Sequence, residues 1–302
     1  MVSEIQKIMK DWRSLYPFES HFLDFGTDQR LHYLDEGPRN APVILMVHGN
    51  PTWSFYWRNL VLAFREKYRI IVPDHQGCGL SSRPGNGKYA FTLDQRIRDL
   101  TALLEALDLR DITLLAHDWG GAIGMGTAVR DPERFTRFAL CNTGAFRFAR
   151  IPFRIALCRT PGLGRLAIQG FNLFAGAAVW MAVEKPLAPE VKAGLLAPYA
   201  SWNQRRATCE FVHDIPMSPR DRSWKTLCEV ENGLTQFRDY PVCLMWGMKD
   251  WCFTPAFMER FQKFFPNAQT HPFHDAGHYL IEEKWEEMVP ILSKFLEEER
   301  TE

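Results

Sequence analysis

The stretch "LLAHDWGGAIGMG" at 114–126 passes from apolar residues through Ala116-His117-Asp118-Trp119-Gly120 into a segment rich in small residues. A small residue two before and a glycine two after a displayed side chain mark a sharp strand-to-helix turn, whose strained backbone tolerates only small flanks. Such turns usually display a serine; this one displays Asp118. A carboxylate is a poor nucleophile for acyl hydrolysis, but it can displace a leaving group from saturated carbon and become an alkyl ester. Because it is already ionised at neutral pH, that step needs no base. Taken alone, Asp118 would also suit the N-cap of the following helix.

Release of such an ester requires an activated water, and His278 in "DAGHYL" follows the last strand-like run, where a general base is expected. Asp250, ending "LMWGMKD", is the candidate acid that orients the imidazole and stabilises its cation. Asp275 competes for that role, but three residues before the histidine it better suits a turn. The preceding strand-like run ends in Asn142, which cannot carry the charge. His117, His213, His271 and His274 read as structural. In "HGNPT" (48–52), the backbone N–H of Asn50 pairs with that of Trp119 as a candidate oxyanion hole, and their side-chain amide and indole N–H could hold a departing anion.

Positioning these groups requires a sheet. Short aliphatic runs at 42–49, 69–75, 111–118, 137–144, 242–250 and 269–277 follow a hairpin-like pair, "HFLDFGTDQ" and "RLHYLDEG", and alternate with amphipathic segments. That rhythm predicts an α/β fold with a mostly parallel sheet of eight strands, covered on both faces. The segment 92–109 predicts a helix with Leu93, Ile97, Leu100, Leu103, Leu104 and Leu107 on one face. Ligands in such sheets gather beyond the carboxyl ends of the strands, where the candidate residues fall. Between about 146 and 217 no strand pattern exists, which predicts an inserted helical cap: core 1–145, cap 146–217, core 218–302.

Composition narrows the classes further. The 302 residues balance 36 Lys and Arg against 36 Asp and Glu, so no overall field favours nucleic acid. The opening "MVSEIQKIMKDWRSLY" lacks a signal-peptide pattern. Seven cysteines, odd in number and without C-x-x-C spacing, read as reduced thiols filling core space in a cytoplasmic protein, with neither metal nor cofactor implied. Residues 166–183 carry no charge and approach the length of a membrane span, but Gln169, Asn172 and their glycines favour a helix lining an apolar pocket. Residues 147–183 hold arginines at 147, 150, 154, 159 and 165 and neither acid nor lysine, a charge that could seat the cap on an anionic membrane or an acidic partner. Arginines so spaced could equally be consumed by salt bridges to the core.

Together "HGNPTWSFYWRNL", "PDHQGCGLS", "LLAHDWGGAIGMG", "MWGMKDW" and "DAGHY" resemble the haloalkane dehalogenases of the α/β-hydrolase superfamily, in particular their third subfamily, over about residues 20–297. The resemblance implies Asp118 as nucleophile, His278 as base, Asp250 as acid, Asn50 and Trp119 as halide-binding residues, an apolar substrate, and a tendency to homo-oligomerise. Asn142 stands where the second subfamily places a glutamate. β-Lactone decarboxylases of olefin biosynthesis share these five positions, and "RIPFRIALCR" and "LLAPYASWNQR" resemble that branch. Dehalogenation is the first expectation from the resemblance and decarboxylation the alternative. An epoxide hydrolase is less favoured, since Tyr199 is the lone tyrosine in 146–217, and Trp119 replaces the arginine of fluoroacetate dehalogenases. A non-catalytic relative used for binding would be expected to show a broken constellation.

Overall fold

A computed structural model describes residues 12–26 and 29–298. The opening residues 1–11, and with them most of the segment read for a signal peptide, lie outside the described residues. A hairpin of β1 (His21–Asp24) and β2 (Arg30–Glu36) leads into β3 (Val43–Val47), β4 (Arg69–Pro73), β5 (Ile112–Asp118), β6 (Phe135–Thr143), β7 (Val242–Gly247) and β8 (Gln269–Phe273). They form one eight-stranded sheet in the order β1-β2-β4-β3-β5-β6-β7-β8. The two pairings made by β2 are antiparallel and the rest are parallel.

Both faces of the sheet are covered, which is why β3 and β7 read as unbroken apolar runs and β5 is apolar over most of its length. Every residue of those strands is buried. Alternation divides their side chains between two layers. On one face Val43, Leu45, Val47, Leu114 and Ala116 pack with α2 (Leu93–Ala106) and α3 (Trp119–Arg130). On the other, Ile44, Met46 and Leu115 pack with helix α1 (Arg58–Phe64) and with the C-terminal helix Leu280–Glu297. Helix α2 starts where Thr92 accepts a hydrogen bond from Gln95 N–H, and it buries Leu93, Ile97, Leu100, Leu103 and Leu104 while Leu107 is partly covered.

Between β6 and β7 the described chain forms helices and turns without a strand. These are α4 (Phe153–Cys158), α5 (Leu173–Met181), α6 (Pro189–Leu196), α7 (Arg206–His213) and α8 (Trp224–Gly233). Helix α8 returns to the core, where Gly233 lies against Val129 of α3. The uncharged run at 166–183 is divided by Asn172, which takes a left-handed conformation at φ 54° just before α5. No helix among the described residues is long and apolar enough to cross a membrane. After β7 come α9 (Pro255–Phe264), β8 and α10 (Leu280–Glu297). Cys78, Cys141, Cys209 and Cys243 are buried thiols.

Candidate active site

Asp118 ends β5 with φ 52° and ψ −127°, a conformation L-residues rarely adopt, and α3 begins at the next residue. Asp118 stands at the N-cap position of α3, but its side chain makes no cap hydrogen bond there, so capping does not account for the residue. The tightness of the turn depends on what lies beside it. A Cβ on Gly120 would come within 2.0 Å of the Val47 carbonyl oxygen, and one on Gly49 within 2.0 Å of Asp118 Oδ1. Thr143, at the end of the neighbouring strand, donates its hydroxyl to the Asp118 carbonyl oxygen.

The carboxylate is held from two sides. Asn50 N–H, in the loop after β3, donates to Asp118 Oδ1 at 2.6 Å, and the nearby backbone N–H of Trp119 also favours the ionised carboxylate. His278 Nε2 lies 3.7 Å from Asp118 Oδ2, and its Nδ1 is 2.8 Å from Asp250 Oδ2. All three titratable side chains are buried. Burial pushes Asp118 up to about 6, opposed by His278 and the two N–H donors. Burial also works against the His278 cation, yet the charge and hydrogen bond of Asp250, with Asp118, raise its pKa.

Asp250 is the acid partner of the histidine. The Asp275 carboxylate instead accepts from Lys284 Nζ at 2.8 Å. The backbone N–H of Cys252 and the side-chain amide of Asn142 satisfy Asp250, at 2.6 and 2.9 Å. Asn142 is also locked to Gly247 at the end of β7, donating to its carbonyl and accepting from its N–H. Asn142 cannot carry the charge of the acid, but its position in β6, next to β7, makes it a clamp on that acid. A buried amide following the apolar run Phe138–Cys141 was the available signal. His117, read as structural, supports the site from below, with Nε2 2.8 Å from the His278 carbonyl oxygen and burial lowering its pKa well below the ordinary value.

Two expectations change in detail. The backbone N–H groups of Asn50 and Trp119 bind an oxygen of Asp118 itself. They would therefore meet the oxyanion formed when water attacks an ester of that carboxylate. The Asn50 amide donates to the Thr208 carbonyl oxygen in α7 at 3.2 Å, leaving one amide hydrogen for a ligand. The Trp119 indole lines the cavity 5.3 Å from the Phe211 ring, and its N–H has no protein acceptor among the described residues.

Above these groups lies a cavity of about 240 Å³, walled mainly by side chains such as Phe146, Phe148, Ile155, Phe174, Leu227 and Phe253. Of the aromatic residues between 146 and 183, Phe148 and Phe174 line it as well, whereas Phe153, Phe171 and Trp180 are exposed. A carboxylate at the base of an apolar cavity, flanked by a His–Asp pair and by N–H donors, is equipped to form and resolve a covalent ester.

Fold and site together define an α/β hydrolase, and the chain belongs to the alpha/beta hydrolase fold family, whose pattern it matches over residues 42–284. It is 41% identical to cis-3-alkyl-4-alkyloxetan-2-one decarboxylase of Shewanella oneidensis, over 95% of this chain and 91% of that protein. It is 32% identical to haloalkane dehalogenase 2 of Mycobacterium tuberculosis, over 89% of this chain and 92% of that protein. Among solved structures, haloalkane dehalogenase DatA of Agrobacterium tumefaciens superposes with a TM-score of 0.81 at 26% identity, covering 92% of this chain and 96% of that one.

Proposed function

We propose that this protein is a β-lactone decarboxylase that converts a 3,4-dialkyl oxetan-2-one to a cis-alkene and carbon dioxide through an ester on Asp118. The observation that carries this reading is the 41% identity, over nearly the whole chain, to a decarboxylase of that named substrate class. It reverses the order expected from the sequence, in which dehalogenation came first. The helical segment 146–217 acts as a cap that roofs an apolar pocket for the two alkyl chains.

Asp118 attacks the ring carbon C4, the C4–O bond breaks with inversion, and its electron pair leaves as the substrate's own carboxylate. The remaining Asn50 amide hydrogen and the Trp119 indole receive that developing charge. The C2–C3 bond then breaks, its electrons form the C3–C4 double bond, and the C4–Asp118 bond breaks to return the carboxylate. Carbon dioxide carries both lactone oxygens, and no water is consumed. Inversion followed by anti fragmentation preserves the cis arrangement of the alkyl groups. The His278 cation stabilises Asp118 as it departs.

A second reading, haloalkane hydrolysis, is favoured by the free indole N–H of Trp119 and by the Asn50 N–H on Asp118 Oδ1. In it the halide leaves to Trp119 and Asn50, and forming the ester removes one of the charges that hold His278 protonated. The imidazole then becomes a base when water must be activated.

Turnover in oxygen-18 water separates the two. With a cis-dialkyl β-lactone, alkene is expected with no label in Asp118. With 1-bromohexane, hydrolysis would place label in the Asp118 carboxylate. Bromide release far outpacing alkene formation would overturn the decarboxylase reading in favour of the dehalogenase.

A further inference from the structure

Most of the exposed large hydrophobic side chains of the described residues fall between 153 and 202. Phe153, Phe171 and Trp180 are 76%, 68% and 62% exposed, which is more than isolated surface apolar residues require. They flank the cavity from two sides. Ile151, Pro152 and Ile155 line one wall, with Phe153 and Leu157 turned outward; Leu173 and Met181 line the other, with Phe171 and Trp180 outward. Trp251 joins the two sides: the Arg154 guanidinium stands 5.4 Å from its ring, and its indole N–H donates to the Met181 carbonyl at 2.9 Å.

The arginines of this region divide into two groups. Arg147 is bound to Glu231, Arg159 lies 3.8 Å from Asp221, and Arg165 lies 2.9 Å from Glu210, so these serve the fold. Arg150 and Arg154 are exposed, line the cavity, and have no acidic partner among the described residues. Lys192 adds a third cation, 3.2 Å from the Trp180 ring centre. Exposed aromatic and aliphatic side chains beside cations that lack an acidic partner, with no helix among the described residues long and apolar enough to span, form the pattern of an interfacial surface.

We propose that this face of the helical segment docks on an anionic membrane surface and admits the substrate from the bilayer into the cavity. The substrate half of the statement rests on the alkyl β-lactone reading above; the docking half stands on the surface itself. Charge favours this occupant over a second copy of the chain. A two-fold contact through the patch would gather Arg150 and Arg154 of both copies into one interface, and residues 147–183 supply no acid to neutralise them.

The test is co-sedimentation of the full chain with phosphatidylcholine vesicles, with and without about one third phosphatidylglycerol, where about tenfold stronger binding to the anionic vesicles is expected. Phe153→Ser with Phe171→Ser should abolish binding yet leave turnover of a dissolved short-chain substrate intact. Arg150→Glu with Arg154→Glu should abolish the preference for phosphatidylglycerol. Absence of binding to either vesicle, or undiminished binding by the double serine variant, would overturn the proposal. So would a dimer in light scattering that the same serine variant dissociates, because the patch would then be a protein interface. Vesicle binding is read without catalysis, so failure of the β-lactone assay alone would count against the reaction and leave docking standing.

Discussion

The Asn142 side-chain amide donates to Asp250 Oδ2 at 2.9 Å, the same oxygen that meets His278 Nδ1 at 2.8 Å. An uncharged residue of β6 thus sets the orientation of an acid from the loop after β7, and through it the tautomer of the histidine. Groups that orient a ligand-bearing or catalytic side chain in this way typically contribute about 10–100-fold to activity.

Replacing Asn142 by Ala should therefore lower turnover by about tenfold or more without loss of Asp118 reactivity. Under the haloalkane reading, pre-steady-state kinetics with a bromoalkane would show it as a burst of bromide followed by slow alcohol release. An equal loss in both phases would mean that Asn142 supports the fold and not the histidine.

The pH dependence follows from Asp118. It must be ionised to attack, and burial raises its pKa from 3.8 to about 6. Ester formation, followed by stopped flow, should accordingly rise through about pH 6 and level off above it. A rate already at its plateau at pH 4.5 would contradict this.

The same shift predicts a stability change. A folded-state pKa above the ordinary value means that the native chain is favoured while Asp118 is protonated. That contribution is lost as the pH climbs from about 4 through 6. Asp118→Asn should be inactive yet more stable than the native protein at pH 8, by on the order of 3 kcal/mol. The advantage should fade toward pH 4, as chemical denaturation at the two pH values would reveal.

His278→Gln should separate the two candidate reactions. With a bromoalkane the variant should trap an alkyl adduct on Asp118, visible by mass spectrometry, because no base remains for water. With a β-lactone it should still release alkene, slowed by about 10²–10⁴-fold, since no proton transfer is required. An adduct that persists equally from both substrates would argue for a water-dependent step in each.

Gly120→Ala tests the turn itself. The added methyl would meet the Val47 carbonyl at 2.0 Å, a contact the backbone cannot relieve without moving β3 away from β5. Destabilisation of about 3 kcal/mol or more is expected, read as a lower midpoint in thermal melting.

Much of this protein was legible in the order of its residues. Apolar runs such as Val43–Val47 and Leu114–Ala116 announce strands covered on both faces, and the spacing of Leu93, Ile97, Leu100 and Leu104 announces the helix that covers them. Asp118, His278, Asp250, Asn50 and Trp119 were identifiable because strand ends, glycines and local motif order are written along the chain. Distances between strands are not. Only the tertiary structure decided that Asn142 clamps Asp250, that Asp275 belongs to Lys284, and that the N–H groups of Asn50 and Trp119 hold Asp118 itself. It also decided which arginines of the helical segment are consumed by acids and which stay free. The physical reason is that hydrogen bonds and ion pairs act over a few ångströms between residues far apart in sequence, and the partner of each is selected only when the sheet brings the strands side by side.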